Sequence, residues 1–218
     1  MYTLLLLLIY LAFISLGLPD SLLGSAWPVM HKAFQVPLSY AGLVTMIISG
    51  GTICSSLMSE RLTKKFGTQI VTVFSVMLTA IALFGFSTAS AFWMLCLWAV
   101  PYGLGAGAID ATLNNYVTLH YNSRHMSWLH CFWGLGTIIS PYVMSYALTT
   151  SVWQNGYRMV SFIQIGIALI LFVTLPIWKV NKKETAQEEK AEEEMVGIKG
   201  ALKIKGVPNL LLGFFSYC

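Results

Sequence analysis

Long apolar runs and short polar breaks alternate along this chain. Six runs, at about 3–27, 38–59, 68–87, 91–119, 125–149 and 157–178, each approach the roughly 20 residues that a helix needs to cross a bilayer. Helices are the expected element, because an open sheet edge leaves its backbone groups unsatisfied in lipid. The first run lacks a basic flank, and its apolar stretch MYTLLLLLIYLAFISLGL exceeds the core of a usual secretory leader, so it reads as a retained span. The breaks are short until 178, after which comes the polar stretch KVNKKETAQEEKAEEEMVGIKGALKIKG.

Composition excludes a soluble domain. Hydrophobic residues make up 56% of the chain, charged residues 10%, and the mean hydropathy is +0.70. A soluble domain carries about a quarter charged residues. Six of the nine acids (Glu184, Glu188, Glu189, Glu192, Glu193 and Glu194) crowd into the late polar stretch, leaving Asp20, Glu60 and Asp110 for everything before it. The expected fold is an all-α membrane protein. A six-helix transmembrane bundle occupies 1–178, a cytoplasmic linker 179–207, and the start of a seventh span 208–218. The final run NLLLGFFSYC would reach only about 15 Å as helix, half a hydrocarbon core, and so reads as a truncated span. Within the linker, 195–205 mixes Val196, Ile198, Leu202 and Ile204 with lysines and could rest on a membrane surface.

Basic residues set the expected orientation. With the N-terminus inside, the inner loops hold Arg61, Lys64, Lys65, Arg124 and the seven lysines of the linker, and the outer loops only Lys32 and Arg158, which accounts for all 13. The positive-inside rule then puts the N-terminus and the linker in the cytoplasm. The net charge of +4 follows from this loop bias, and nucleic acid is not an expected partner.

Candidate chemistry lies in the few polar residues inside apolar runs. Asp110, in GLGAGAIDATLNN, and Asp20, in SLGLPDSLLG, are costly in hydrocarbon and mark a polar pathway, unless they lock helices together or cap a break. Asn114 stands one turn from Asp110 on the same face. Pro19 loosens the helix beside Asp20, and broken helices at mid-depth accompany transporter binding sites. His130, in WLHCFWGLG, is either a packed histidine or a pathway residue, and Trp133 either stacks on a ring-shaped solute or meets lipid. His31, His120 and His125, in loops or at span ends, read as solvated.

Other apparent motifs fail on context. GLGAGA fits a dinucleotide-binding pattern but lacks the strand before it and the acid about 20 residues after it. Gly103 and Gly107 read instead as a small-residue face for close helix contact. Cys54, Cys96, Cys131 and Cys218 have no metal-like spacing and read as apolar packing residues. Neither a metal cluster nor a nucleophile–base pair is visible, so no cofactor and no enzymatic activity are expected.

These features together resemble the N-terminal half of a major facilitator superfamily transporter. More narrowly, the chain is similar to the fucose permease branch of sugar–proton symporters. The likeness rests on Asp20-Ser21-Leu22-Leu23 in the first span, GAIDATLNN in the fourth and LHCFWGLGTIISP in the fifth, where the family more often has Gln at the position of His130. It implies coupling of proton and sugar through Asp20 and Asp110, with Asn114 in the fourth-span motif and His130 at a polar position of the fifth. It also implies a gating loop after the second span. The superfamily form Gly-x-x-x-Asp-Arg-x-Gly-Arg-Arg is here SERLTKKFGTQ, with Glu60 and Arg61 in the acid–base positions and Lys64-Lys65 before Gly67. The implied activity is alternating-access symport of a small polar solute such as a monosaccharide with a proton, in a bacterial inner membrane. The implied partner is a missing C-terminal half. A half that transports nothing until it meets that partner is one alternative, and a membrane-embedded enzyme using His130 and Asp110, for which no nucleophile–base spacing is visible, is the other.

Overall fold

A computed structural model of the chain describes residues 2–176 together with 206, 207 and 209. Two compact units form, Met1–Ile177 and Trp178–Cys218. The expected linker and seventh-span start lie outside the described residues, apart from those three positions. The first unit consists of helices α1 (Tyr2–Asp20), α2 (Leu22–Ala33), α3 (Tyr40–Phe66), α4 (Thr68–Thr88), α5 (Phe92–His120), α6 (Ser123–Thr150) and α7 (Trp153–Val173). They make six spans of membrane length, because α1 and α2 are one span broken at Ser21. No strand occurs among the described residues.

Two spans run longer than their apolar runs. The first continues past Trp27 to Ala33, because Met30 is fully buried and the following Phe34 packs edge-on against Trp153 at 5.5 Å. The Trp27 indole N–H also donates to the Leu38 carbonyl at 2.7 Å, fastening the turn that follows. The second continues past Ser59 to Phe66 and stops at Gly67, whose φ of +86° suits glycine. Glu60 and Arg61 are therefore not in a loop. They sit on the last turns of α3, where no helix breaker precedes Gly67, and Glu60 pairs with Lys64 one turn on at 2.8 Å.

α1 packs along α6, α3 along α5, α5 along α4, and α4 along α7. Exchanging the first three spans with the last three maps the α1–α6 pair onto α5–α3 and the α4–α7 pair onto itself. That is the pairing expected of two inverted three-span repeats. Small residues set both repeated crossings. A Cβ on Gly103 would strike the Ile48 carbonyl of α3, and one on Gly107 the Thr52 carbonyl, so this pair forms the close contact that its spacing implies. At the other crossing, a Cβ on Gly136 would lie 2.5 Å from the Ile14 carbonyl. Hydroxyls add to the α3–α5 seam: Thr52 donates to the Gly103 carbonyl at 3.3 Å and Ser56 to that of Gly107 at 3.2 Å.

α3 and α6 are the least covered spans. Only 11% and 22% of their most apolar stretches are buried, against 61% for the first and third spans. Their outward faces carry Met46, Ile53 and Leu57 on α3, and Ile138, Tyr142 and Tyr146 on α6. Cys54 and Cys131 are also exposed on these two helices rather than packed inside.

Candidate functional site

Asp20 closes α1, with Pro19 before it and the break at Ser21 after it. Its two carboxylate oxygens have separate donors. The Tyr102 hydroxyl of α5 donates to Oδ1 at 3.1 Å, and the Trp133 indole N–H of α6 donates to Oδ2 at 2.8 Å. Gly17, one turn earlier, makes this possible. A Cβ there would run into the carbonyl of Trp133 itself, so the absent side chain lets α6 approach until its indole reaches the acid. Tyr102 is buried, and a buried phenol needs a partner; Asp20 supplies it.

Asp110 repeats the arrangement on α5. Gly107 stands one turn before it against α3, and Asn114, one turn after it, donates from Nδ2 to Asp110 Oδ1 at 2.9 Å. Asn114 Oδ1 is buried with no partner among the described residues, so one strong acceptor beside Asp110 is left unsatisfied. Asp110 also interacts electrostatically with His130 and with Asp20. His130 is exposed on α6, its ring edge-on to Phe13 of α1 at 6.2 Å.

The fold thus joins Asp20 to Trp133 and Asp110 to Asn114, and sets Asp20 of α1 and His130 of α6 within electrostatic reach of Asp110 on α5. Tyr10 stacks on Phe132 at 4.6 Å, and its hydroxyl meets His125 Nδ1 at 2.9 Å. The histidine read as solvated at 125 is therefore tied to α1. His120 donates from a ring N–H to the Tyr116 carbonyl at 2.9 Å, and His31 donates over a longer 3.3 Å to the Val36 carbonyl. Glu60 and Arg61 do not join the cluster. Both are exposed on the last turns of α3, just before Thr63, whose hydroxyl meets that of Thr112 at 3.3 Å.

Sequence reasoning missed Tyr102 and Gly17. A signal for both was present: the pattern Gly-x-x-Asp occurs at 17–20 and again at 107–110, in corresponding members of the two repeats. Tyr102 precedes Asp110 by eight residues, close to two turns, and so falls near the same face. The cluster offers two carboxylates, an amide, an imidazole and an indole in a largely apolar frame. It can accept and donate hydrogen bonds to a hydroxylated solute, and its acids can take up or release a proton.

A family model described as Major Facilitator Superfamily matches residues 9–218. The chain belongs to the major facilitator superfamily. It is an integral, multi-pass membrane protein of a transporter family and not an enzyme. Among similar proteins is the Glucose/mannose transporter GlcP of Bacillus subtilis, 22% identical over 182 residues, which are 82% of this chain and 44% of that protein. Bypass of stop codon protein 6 of Saccharomyces cerevisiae is 24% identical over 163 residues, 73% of this chain and 33% of that protein. The chain spans less than half the length of either relative.

Proposed function

We propose that this bundle is the site-bearing half of a secondary active transporter that moves a small polar solute, a monosaccharide, together with a proton by alternating access. One observation carries the reading. Two carboxylates lie in the apolar spans of a membrane bundle, and among the described residues their side-chain hydrogen bonds come from neutral donors, Tyr102, Trp133 and Asn114. The Glu60–Lys64 pair is the one salt bridge among the described residues, so neither acid is paired with a Lys or Arg of that set. A carboxyl held in this way can change protonation during a cycle, where a paired one could not do so cheaply. In this reading Asp110 carries the coupled proton with His130 beside it. Asn114 offers its unsatisfied acceptor to a solute hydroxyl, Asp20 accepts others, and Trp133 lies where a sugar ring can stack. Glu60 and Arg61 steady one closed state from the end of α3.

The sugar assignment draws on the Bacillus subtilis relative and on the likeness to the fucose permease branch. A second six-span bundle would complete the cavity over the open face. The test is uptake of labelled glucose and mannose into vesicles that hold the bundle with its companion half, beside vesicles that hold the bundle alone. Saturable uptake that a protonophore collapses is expected in the first and none in the second. Uptake of equal extent with and without a proton gradient would overturn the coupling, and robust uptake by the bundle alone would overturn the half-transporter reading.

The same reading places the protein in a bacterial inner membrane with its N-terminus in the cytoplasm. In a cysteine-free background, an impermeant thiol reagent applied outside should modify a cysteine at position 32 and spare positions 65 and 190. The opposite pattern would invert the topology.

A further inference from the structure

Pro19 leaves a fault in α1. Each helical N–H bonds the carbonyl four residues back, so a proline at 19, having no N–H, deprives the Ser15 carbonyl of its helical donor. That carbonyl is not at the surface, since Ser15 is only 1% exposed. Left alone, a buried carbonyl costs about as much as a lost hydrogen bond. The missing donor comes from another helix. Gln164 of α7, itself 1% exposed, donates from Nε2 to the Ser15 carbonyl at 2.6 Å. Two more atoms of this pair, Ser15 Oγ and Gln164 Oε1, are buried without a partner among the described residues. A long polar side chain buried at this cost in an apolar span calls for a reason, and the broken turn provides one.

We propose that Gln164 is a positioning residue for Asp20. Its amide splints the proline-broken turn from the α7 side and so fixes the direction in which the next residue, Asp20, is presented to Tyr102 and Trp133. Ser15 Oγ and Gln164 Oε1 form a spare donor and acceptor on the same two residues. The importance of Asp20 rests on the transporter reading above; the splint does not.

The experiment is a double-mutant cycle on the whole chain in detergent micelles, comparing the parent, Gln164→Leu, Pro19→Ala and the double variant. Two quantities are read: the thermal unfolding midpoint, and the rate at which a hydrophobic carbodiimide modifies Asp20, measured by mass spectrometry with Asp20→Asn as the blank. Gln164→Leu should lower the midpoint and change the Asp20 labelling rate by roughly three- to tenfold, the scale of one lost hydrogen bond. In the Pro19→Ala background residue 19 again has an N–H for the Ser15 carbonyl, so adding Gln164→Leu should leave the labelling rate unchanged. Equal effects in both backgrounds, or an unchanged labelling rate in the parent background, would show that Gln164 only packs, and the proposal would fall. Should Gln164→Leu fail to fold, its recovery by Pro19→Ala supports the splint and failure in both backgrounds overturns it. Neither readout measures transport, so a negative uptake assay and a negative cycle remain separate results.

Discussion

Asp110→Asn is expected to abolish uphill, proton-driven accumulation in the completed transporter while leaving exchange of solute across the membrane. Asparagine keeps the size of the side chain and can still bond Asn114, which lies 2.9 Å from the carboxylate, but it has no proton to give up. A carrier without its titrating group can still reorient with solute bound, so counterflow should persist at a reduced rate. Asn114→Ala should act differently. It removes the unsatisfied acceptor beside Asp110 and should weaken solute binding by about 0.5–1.5 kcal/mol, roughly two- to twelvefold in affinity, with coupling retained. Proton-driven uptake and counterflow measured in the same vesicles separate the two variants. Accumulation by Asp110→Asn at the parental level would make the acid a structural lock and end its coupling assignment.

The largest structural effect is expected at Gly107. A methyl group there would meet the Thr52 carbonyl and the Ser55 hydroxyl, and a backbone carbonyl on a packed helix cannot swing aside. Gly107→Ala should cost on the order of 1–3 kcal/mol, the usual price of overpacking, and Gly107→Leu should prevent α3 and α5 from assembling. Gly50, also helical but with open space where its Cβ would go, is the control. Gly50→Ala should be neutral or should stabilise the chain by up to about 1 kcal/mol, because alanine is the better helix former. Denaturation of the three variants in detergent reads the difference directly. Equal losses at 107 and 50 would mean that helix propensity, and not the close approach of α3, governs this seam. Since Asp110 lies one turn beyond Gly107, even the alanine variant should disturb the site, as a displaced α5 carries the acid with it.

Both predictions depend on information that divides unevenly between sequence and structure. The six spans were legible because a bilayer imposes a length and an apolarity that no interior of a soluble domain requires. Asp20 and Asp110 were legible for the same reason, since a carboxylate is conspicuous where hydrocarbon makes charge expensive. The face shared by Asp110 and Asn114 followed from helical spacing alone, and so did the small-residue contact at Gly103 and Gly107. Span ends were less legible. Hydropathy marks where lipid stops, not where hydrogen bonds stop, so α3 carried Glu60 and Arg61 out of their expected loop and on to Gly67.

Only the tertiary structure decided which helix faces which. Nothing local to Asp20 selects Tyr102, 82 residues away, or Trp133, 113 residues away, as its donors. Those pairs exist because Gly17 and Gly136 let α1 and α6 close together, while α5 packs against neighbours on its other side. The Gln164 bond to Ser15 spans 149 residues and shows the same division. The sequence by itself determines that Pro19 must orphan the Ser15 carbonyl, because that is a property of one helix. Which side chain satisfies the carbonyl is a property of the packed bundle, where a donor must arrive from another helix at hydrogen-bonding distance.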